Sequence, residues 1–263
     1  KGGENLRADL RSRLKRFKEK IEESKKQRKK SGKPGIRKEG LQAVLVGLTQ
    51  SGKSSIMKTL TNTNPAVDSY NFVTKEPLVG ALNYDGIIAQ IIDLPAINSE
   101  YCDMGVINTA DTLLIVVTSL QDIEYIERFL SKTAGKKLIV FNKIDIITEQ
   151  EKRKIESYLK SKKYNFVIVS ALTGQGIKEL KDKIIQLFDI IRVYTKEPGK
   201  EHDERPFVLM KGSTISDIAK KIHIPELQIK EIRIWGPSSK FGGQKVGINH
   251  ELKDKDIVEI RTK

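Results

Sequence analysis

Eight consecutive residues, Gly47-Leu48-Thr49-Gln50-Ser51-Gly52-Lys53-Ser54, spell G-x-x-x-x-G-K-S directly after the apolar run Ala43-Val44-Leu45-Val46. A loop of this pattern between a buried strand and a helix is built to wrap phosphates. Its glycines let backbone N–H groups turn inward, and the helix N-terminus adds the positive end of its dipole. Gly47, Gln50, Ser51, Gly52 and Ser55 are therefore candidate phosphate contacts. Lys53 is expected to reach the β- and γ-phosphates, and the Ser54 hydroxyl to ligate Mg²⁺.

The base-reading residues come later in the chain. Leu138-Ile139-Val140-Phe141 reads as another buried strand and runs into Asn142-Lys143-Ile144-Asp145. A carboxylate at Asp145 can accept from both N1–H and the 2-amino group of guanine, and adenine offers no such donor pair. Asn142 and Lys143 can fasten the loop and the base plane. Phe166-Val167-Ile168-Val169 then leads to Ser170-Ala171-Leu172, whose backbone N–H groups could meet the guanine O6. The expected ligand pair is GTP and GDP.

Between these loops lie candidates for a γ-phosphate sensor. Leu78–Tyr84 and Gly86–Ile92 read as a hairpin around Asp85-Gly86. Its second strand runs into Asp93-Leu94-Pro95-Ala96, where Asp93 is placed to hold Mg²⁺ through water. Upstream, Thr74 is the candidate for a second hydroxyl on Mg²⁺, released when the γ-phosphate leaves.

The segments that must position these groups stand out in charge and pattern. The chain has 263 residues and a formal charge of +14. Residues 1–40 carry 16 basic and 6 acidic side chains, so most of the excess sits in one arm. Within it Leu6, Leu10, Leu14, Phe17 and Ile21 recur at helical spacing, and a lysine-rich linker follows. Such an arm suits phosphate contact, most simply with RNA. One cysteine, Cys102, excludes an intrachain disulfide, and three scattered histidines give no metal cluster. No apolar run approaches the ~20 residues of a membrane helix. No signal-peptide pattern is seen, so a cytoplasmic protein is expected. The expected domains are a basic helical arm with linker at 1–40, a nucleotide domain at 41–190 and a C-terminal module at 191–263.

In combination these motifs resemble the developmentally regulated GTP-binding proteins of the Obg-related GTPase superfamily. Asn71-Phe72-Val73-Thr74-Lys75-Glu76-Pro77 is similar to their switch segment, and Asp93-Leu94-Pro95-Ala96-Ile97 to their Asp-x-Pro-Gly/Ala-Ile segment. The stretches Ile191–Lys196, Gly212–Asp217, Trp235–Ser238, Gln244–Gly247 and Leu252–Val258 resemble the family's TGS domain, a small β-grasp module.

The resemblance implies an α/β fold: a P-loop GTPase domain, mostly parallel with helices on both faces, plus arm and TGS domain. It implies Mg²⁺-dependent hydrolysis of GTP in a switch linked to ribosomes or RNA. In that role Lys53, Thr74 and the Ala96 N–H would act on the γ-phosphate, and segments 62–77 and 94–108 would respond to it. Gln50 stands where relatives often have Asn or Ser, and the Asn version can help bind K⁺ next to the phosphates, so K⁺ stimulation is an open expectation. Ile97 replaces the water-orienting glutamine of small signalling GTPases, which implies slow intrinsic turnover and leaves room for a regulatory protein partner. The extra domain that larger members insert in the GTPase body is absent. Two rival readings are an RNA- or ribosome-binding adaptor with a mainly structural nucleotide, and a membrane-associated GTPase using the basic arm.

Overall fold

The computed structural model describes Ile36, Lys38, residues 40–61 and residues 76–262. The expected helix at 6–21, its basic linker and Thr74 lie outside the described residues.

The chain from residue 38 onward forms one compact unit holding two sheets. The first has six strands in the order β2-β3-β1-β4-β5-β6. They are β1 (Leu41–Gly47), β2 (Leu78–Tyr84), β3 (Ile87–Asp93), β4 (Thr112–Val117), β5 (Lys136–Phe141) and β6 (Phe166–Ile168). All neighbours are parallel except β2 and β3. These parallel strands are short β-branched and leucine runs, buried along almost their whole length in β1 and β4. That is what a sheet covered on both faces requires.

The helices are α1 (Lys53–Thr61), α2 (Met104–Thr109), α3 (Leu120–Phe129), α4 (Glu149–Ser161) and α5 (Ile177–Leu187). Ile56, Met57 and Leu60 of α1 and Leu180 and Ile184 of α5 pack with Leu45, Leu82 and Ile91 in one core. Each such fully buried side chain contributes about 1.5–3 kcal/mol. Capping boxes at Ser119 and Thr148 start α3 and α4, each typically worth about 1 kcal/mol.

The β2–β3 hairpin turns where the sequence pattern put it. Asp85 and Gly86 both have positive φ, 53° and 77°, the backbone of the two-residue turns that match strand twist. The segment 94–108, expected as loop throughout, instead contains the start of α2. The Asp103 carboxylate caps it by accepting from the Gly105 N–H at 2.8 Å. Val106 and Ile107 of this short helix are buried.

Only Phe188 and Asp189 separate α5 from the second sheet, which has the order β10-β9-β11-β7-β8. Its strands are β7 (Ile190–Thr195), β8 (Phe207–Met210), β9 (Ile229–Trp235), β10 (Gln244–Lys245) and β11 (Asp256–Thr262), with α6 (Ile215–Lys221) on one face. Ile191, Val193, Ile215, Ile218, Ile234 and Val258 belong to its core. Trp235 is half-buried at the end of β9. Lys196 Nζ lies 4.1 Å from its ring centroid, and an added Cβ on Gly242 would come within 2.9 Å of the ring. The indole is thus covered by its own domain.

Candidate functional site

The sequence-derived site residues among those described sit where β1, β3, β5 and β6 end. Open parallel sheets bind ligands at the carboxyl ends of their strands.

Gly47 closes β1, and the turn after it carries Gln50 at a left-handed φ of 62°. Glycine is required at 52. Its φ is +92°, and a Cβ there would fall 2.2 Å from Asn142 Nδ2. Lys53 opens α1 and folds back: its ammonium donates to the Gly47 and Leu48 carbonyls at 3.2 and 3.0 Å. Burial pulls the Lys53 pKa below the usual lysine value, and the nearby Asp93 carboxylate opposes that. The ammonium is thus desolvated and satisfied by loop carbonyls.

Asp93, at the end of β3, is fully buried. Its Oδ2 accepts from the Ser54 hydroxyl at 2.5 Å, and its Oδ1 has no partner. Burial raises its pKa above the usual carboxylate range, while the Ser54 hydrogen bond lowers it. A buried carboxylate oxygen without a partner is costly unless something binds it. A hydroxyl and a carboxylate are hard oxygen donors of the kind Mg²⁺ takes, so the pair fits that ion. Among the described residues no group of three or more His, Cys, Asp or Glu side chains could hold another metal.

The third and fourth loops meet the first through Asn142. Its side-chain N–H donates to the Ser51 carbonyl at 3.0 Å, and its Oδ1 accepts from the Ala171 N–H at 3.0 Å. Lys143 is in the left-handed region, φ 66°, which swings the chain over the strand ends. Ser170 donates through its hydroxyl to Asp145 Oδ1 at 2.5 Å and accepts from the Thr173 N–H at 3.1 Å. The Ser170 hydroxyl therefore fixes the orientation of the Asp145 carboxylate.

Gly52, Ser55, Asn142, Lys143, Asp145, Ala171 and Leu172 line one cavity of about 440 Å³, within the roughly 300–1,000 Å³ of small-molecule sites. Lys58 and Thr59 line it too and were missed from sequence. Their signal was available, since they follow Ser55 at i+3 and i+4 on α1 and share its face. Ala96 and Ile97 are buried beside the phosphate loop, and the Ile97 N–H donates to the Gly47 carbonyl at 3.2 Å.

Comparison with known proteins accords with this geometry. Residues 42–143 match the model of the 50S ribosome-binding GTPase family, and residues 191–262 match the TGS domain. An uncharacterized GTP-binding protein of Methanocaldococcus jannaschii is 25% identical, over 83% of this chain and 77% of its own length. Developmentally-regulated G-protein 3 of Arabidopsis thaliana is 27% identical, over 82% of this chain and 80% of its own.

The chain joins a GTPase domain to a TGS domain, and its curated relatives include developmentally regulated GTP-binding proteins.

Its two domains are a P-loop GTPase domain and a TGS domain, and the GTPase domain implies GTP and GDP as ligands. The alignment with the M. jannaschii protein spans 301 residues, of which this chain supplies about 218, so that relative has about 80 residues here that this chain lacks. Among solved structures, the G domain of the Thermotoga maritima FeoB iron transporter is 25% identical, covering 56% of this chain and 98% of that one with a TM-score of 0.47. No described helix is long and apolar enough to cross a membrane.

Proposed function

We propose that this chain is a cytoplasmic Mg²⁺-dependent switch that hydrolyses GTP to GDP and phosphate and acts with ribosomes or RNA. The observation that carries the catalytic part is the Ser54–Asp93 pair, with its partnerless buried oxygen, beside a lysine ammonium and a cavity ending at Asp145. Ser54, Asp93 and Thr74 would hold Mg²⁺. When bound, the ion offsets charge on the β- and γ-phosphates.

The chain's own groups do the rest. Lys53 reaches the terminal phosphates. The N–H groups from Gln50 to Ser55 cradle them, and the Ala96 N–H faces the γ-phosphate. Asp145 selects guanine, Lys143 lies along the base plane, and Ala171 and Leu172 close its O6 edge. On this reading 41–190 is the nucleotide domain, 191–263 the TGS domain and 1–40 a basic arm for phosphate contact.

Turnover by the isolated chain is slow, on the order of 10⁻⁴–10⁻² s⁻¹ as for unassisted GTPases. Isoleucine at 97 cannot hydrogen-bond the attacking water, and its side chain is buried. That same burial favours a second reading, an adaptor whose nucleotide is mainly structural. Single-turnover hydrolysis with and without Mg²⁺, in KCl and in NaCl, separates the two. Mg²⁺-dependent phosphate release supports the switch, and its absence with tight GTP binding supports the adaptor. Ribosome co-sedimentation in both nucleotide states across a salt series tests the partner, with a steep salt dependence lost on removing residues 1–38.

A further inference from the structure

The β2–β3 hairpin joins two places that nothing else in the first sheet joins. Its register runs without a break from Leu78 opposite Asp93 to Tyr84 opposite Ile87. At about 3.3 Å per residue the ladder puts roughly 20 Å between its ends. One end is the Asp93 carboxylate. The other, the turn Asp85-Gly86, lies against the TGS domain.

That contact has two parts. Arg192 of β7 forms an ion pair with Asp85 while two of its other nitrogens donate to Asp254, Nε at 3.0 Å and Nη2 at 2.5 Å. The Arg192 N–H also donates to Asp254, at 2.8 Å. The guanidinium is thus fixed by its own domain and presents its remaining nitrogen to the hairpin. Its hydrogen bonds to Asp254 keep its pKa above even the usual arginine value, so its charge is constant. Gly86 abuts Pro206 so closely that an added Cβ would fall 2.8 Å from the ring. Beside the turn, the Tyr84 hydroxyl donates to Asp182 on α5 at 2.7 Å.

The covalent connection to the TGS domain is short. Asp189 has a left-handed φ of 50°, and its carbonyl accepts from the Lys211 N–H at 2.7 Å. A bent two-residue joint and the hairpin turn therefore both hold the module.

We propose that the β2–β3 hairpin couples the nucleotide site to the TGS domain, with Arg192 as the positioning residue that clasps its turn. The inference rests on the GTPase reading above and adds its regulation. A displacement at Asp93 when the γ-phosphate and ion are present is carried along a rigid ladder to the Asp85-Gly86 turn. It tilts β7 and β8 about the joint at Asp189. By linkage, a partner that holds the TGS domain in one tilt changes the ratio of GTP to GDP affinity by the same factor.

The experiment is hydrogen–deuterium exchange of the full chain, with GDP and with a non-hydrolysable GTP analogue plus Mg²⁺, in wild type, Asp85→Asn and Arg192→Ala. Asparagine tolerates the left-handed φ of position 85, so Asp85→Asn removes the ion pair and leaves the turn. In wild type, amides of 193–195 and 207–210 exchange about threefold differently between the two states. In Asp85→Asn that difference falls by half or more, while nucleotide affinity stays within about twofold. Arg192→Ala abolishes it. A surface ion pair carries only a modest coupling, which sets the size expected. An unchanged difference in both variants overturns the proposal. So does a wild type that binds guanine nucleotides tightly yet exchanges identically in both states. Failure to bind guanine nucleotide at all overturns the GTPase reading instead.

Discussion

Across 91 residues of sequence, the buried Asn142 amide donates to the Ser51 carbonyl at 3.0 Å. Because its oxygen accepts from the Ala171 N–H, one side chain sets the separation of the phosphate, base and Ser-Ala loops. Asn142→Ala would leave the buried Ser51 carbonyl and the half-buried Ala171 N–H without that partner. Each such group costs about 1–3 kcal/mol. The expected result is a loss of about 2–4 kcal/mol in urea unfolding, together with a GDP affinity at least tenfold weaker by titration calorimetry. Asn142→Asp keeps the acceptor for Ala171 but faces Ser51 with a carboxylate, and it should be no better.

On the proposed reading base choice rests on Asp145, whose carboxylate orientation is fixed by the Ser170 hydroxyl. Asp145→Asn exchanges an acceptor for a donor at the edge that meets N1 and the 2-amino group. Affinity should move from GTP toward xanthosine triphosphate, by about 1–3 kcal/mol for a charged hydrogen bond lost or mismatched. Competition of the two nucleotides against a fluorescent GDP reads this directly. If the preference does not move, the loop at 142–145 does not read the base.

The site loops were legible because each uses residue types with narrow uses, directly after an apolar strand. Gly52 must be glycine, and Asp85-Gly86 must turn with positive φ. These constraints are local, so they show in a few letters. Contacts made by folding did not show. Lys58 and Thr59 look like ordinary helix-surface residues until the loop at 142–145 arrives opposite them. Arg192 and Asp85, 107 residues apart, carry no periodic signal of their meeting. The helix at 104–109 was missed because six residues are too few for periodicity; only Asp103 ahead of them marked its start.

Tyr164, just ahead of β6, reports on its contact with Glu127 of α3. Burial, then its hydrogen bond to Glu127 at 3.0 Å, pushes its pKa up to about 12 from an ordinary 10.0. The folded chain therefore holds this proton more tightly than the unfolded chain. The stability it contributes is fully present below pH 10 and is lost as pH rises from 10 to 12. Urea melts of wild type and Tyr164→Phe should converge over that interval by about 1–2 kcal/mol. Lysine titration is common to both proteins and cancels. Parallel curves would mean that the phenol is not held by Glu127 in solution.

Gly52→Ala tests the close approach on which the assembled site depends. The new Cβ would fall 2.2 Å from Asn142 Nδ2, at a φ of +92° that side chains rarely adopt. Either the phosphate loop moves out or Asn142 gives up Ser51. Both outcomes open the gap between the loops that hold the phosphates and the base. Backbone strain alone costs about 1–3 kcal/mol, and the lost Asn142 bond adds to it. The variant should melt several degrees lower, and saturating GDP should raise its melting temperature far less than it raises that of wild type. Gly174→Ala is the control. Its φ is +82° with nothing within 4 Å of the added Cβ, so it bears the strain without the collision. A similar loss of GDP stabilisation in both variants would show that backbone strain, and not the contact with Asn142, makes residue 52 a glycine.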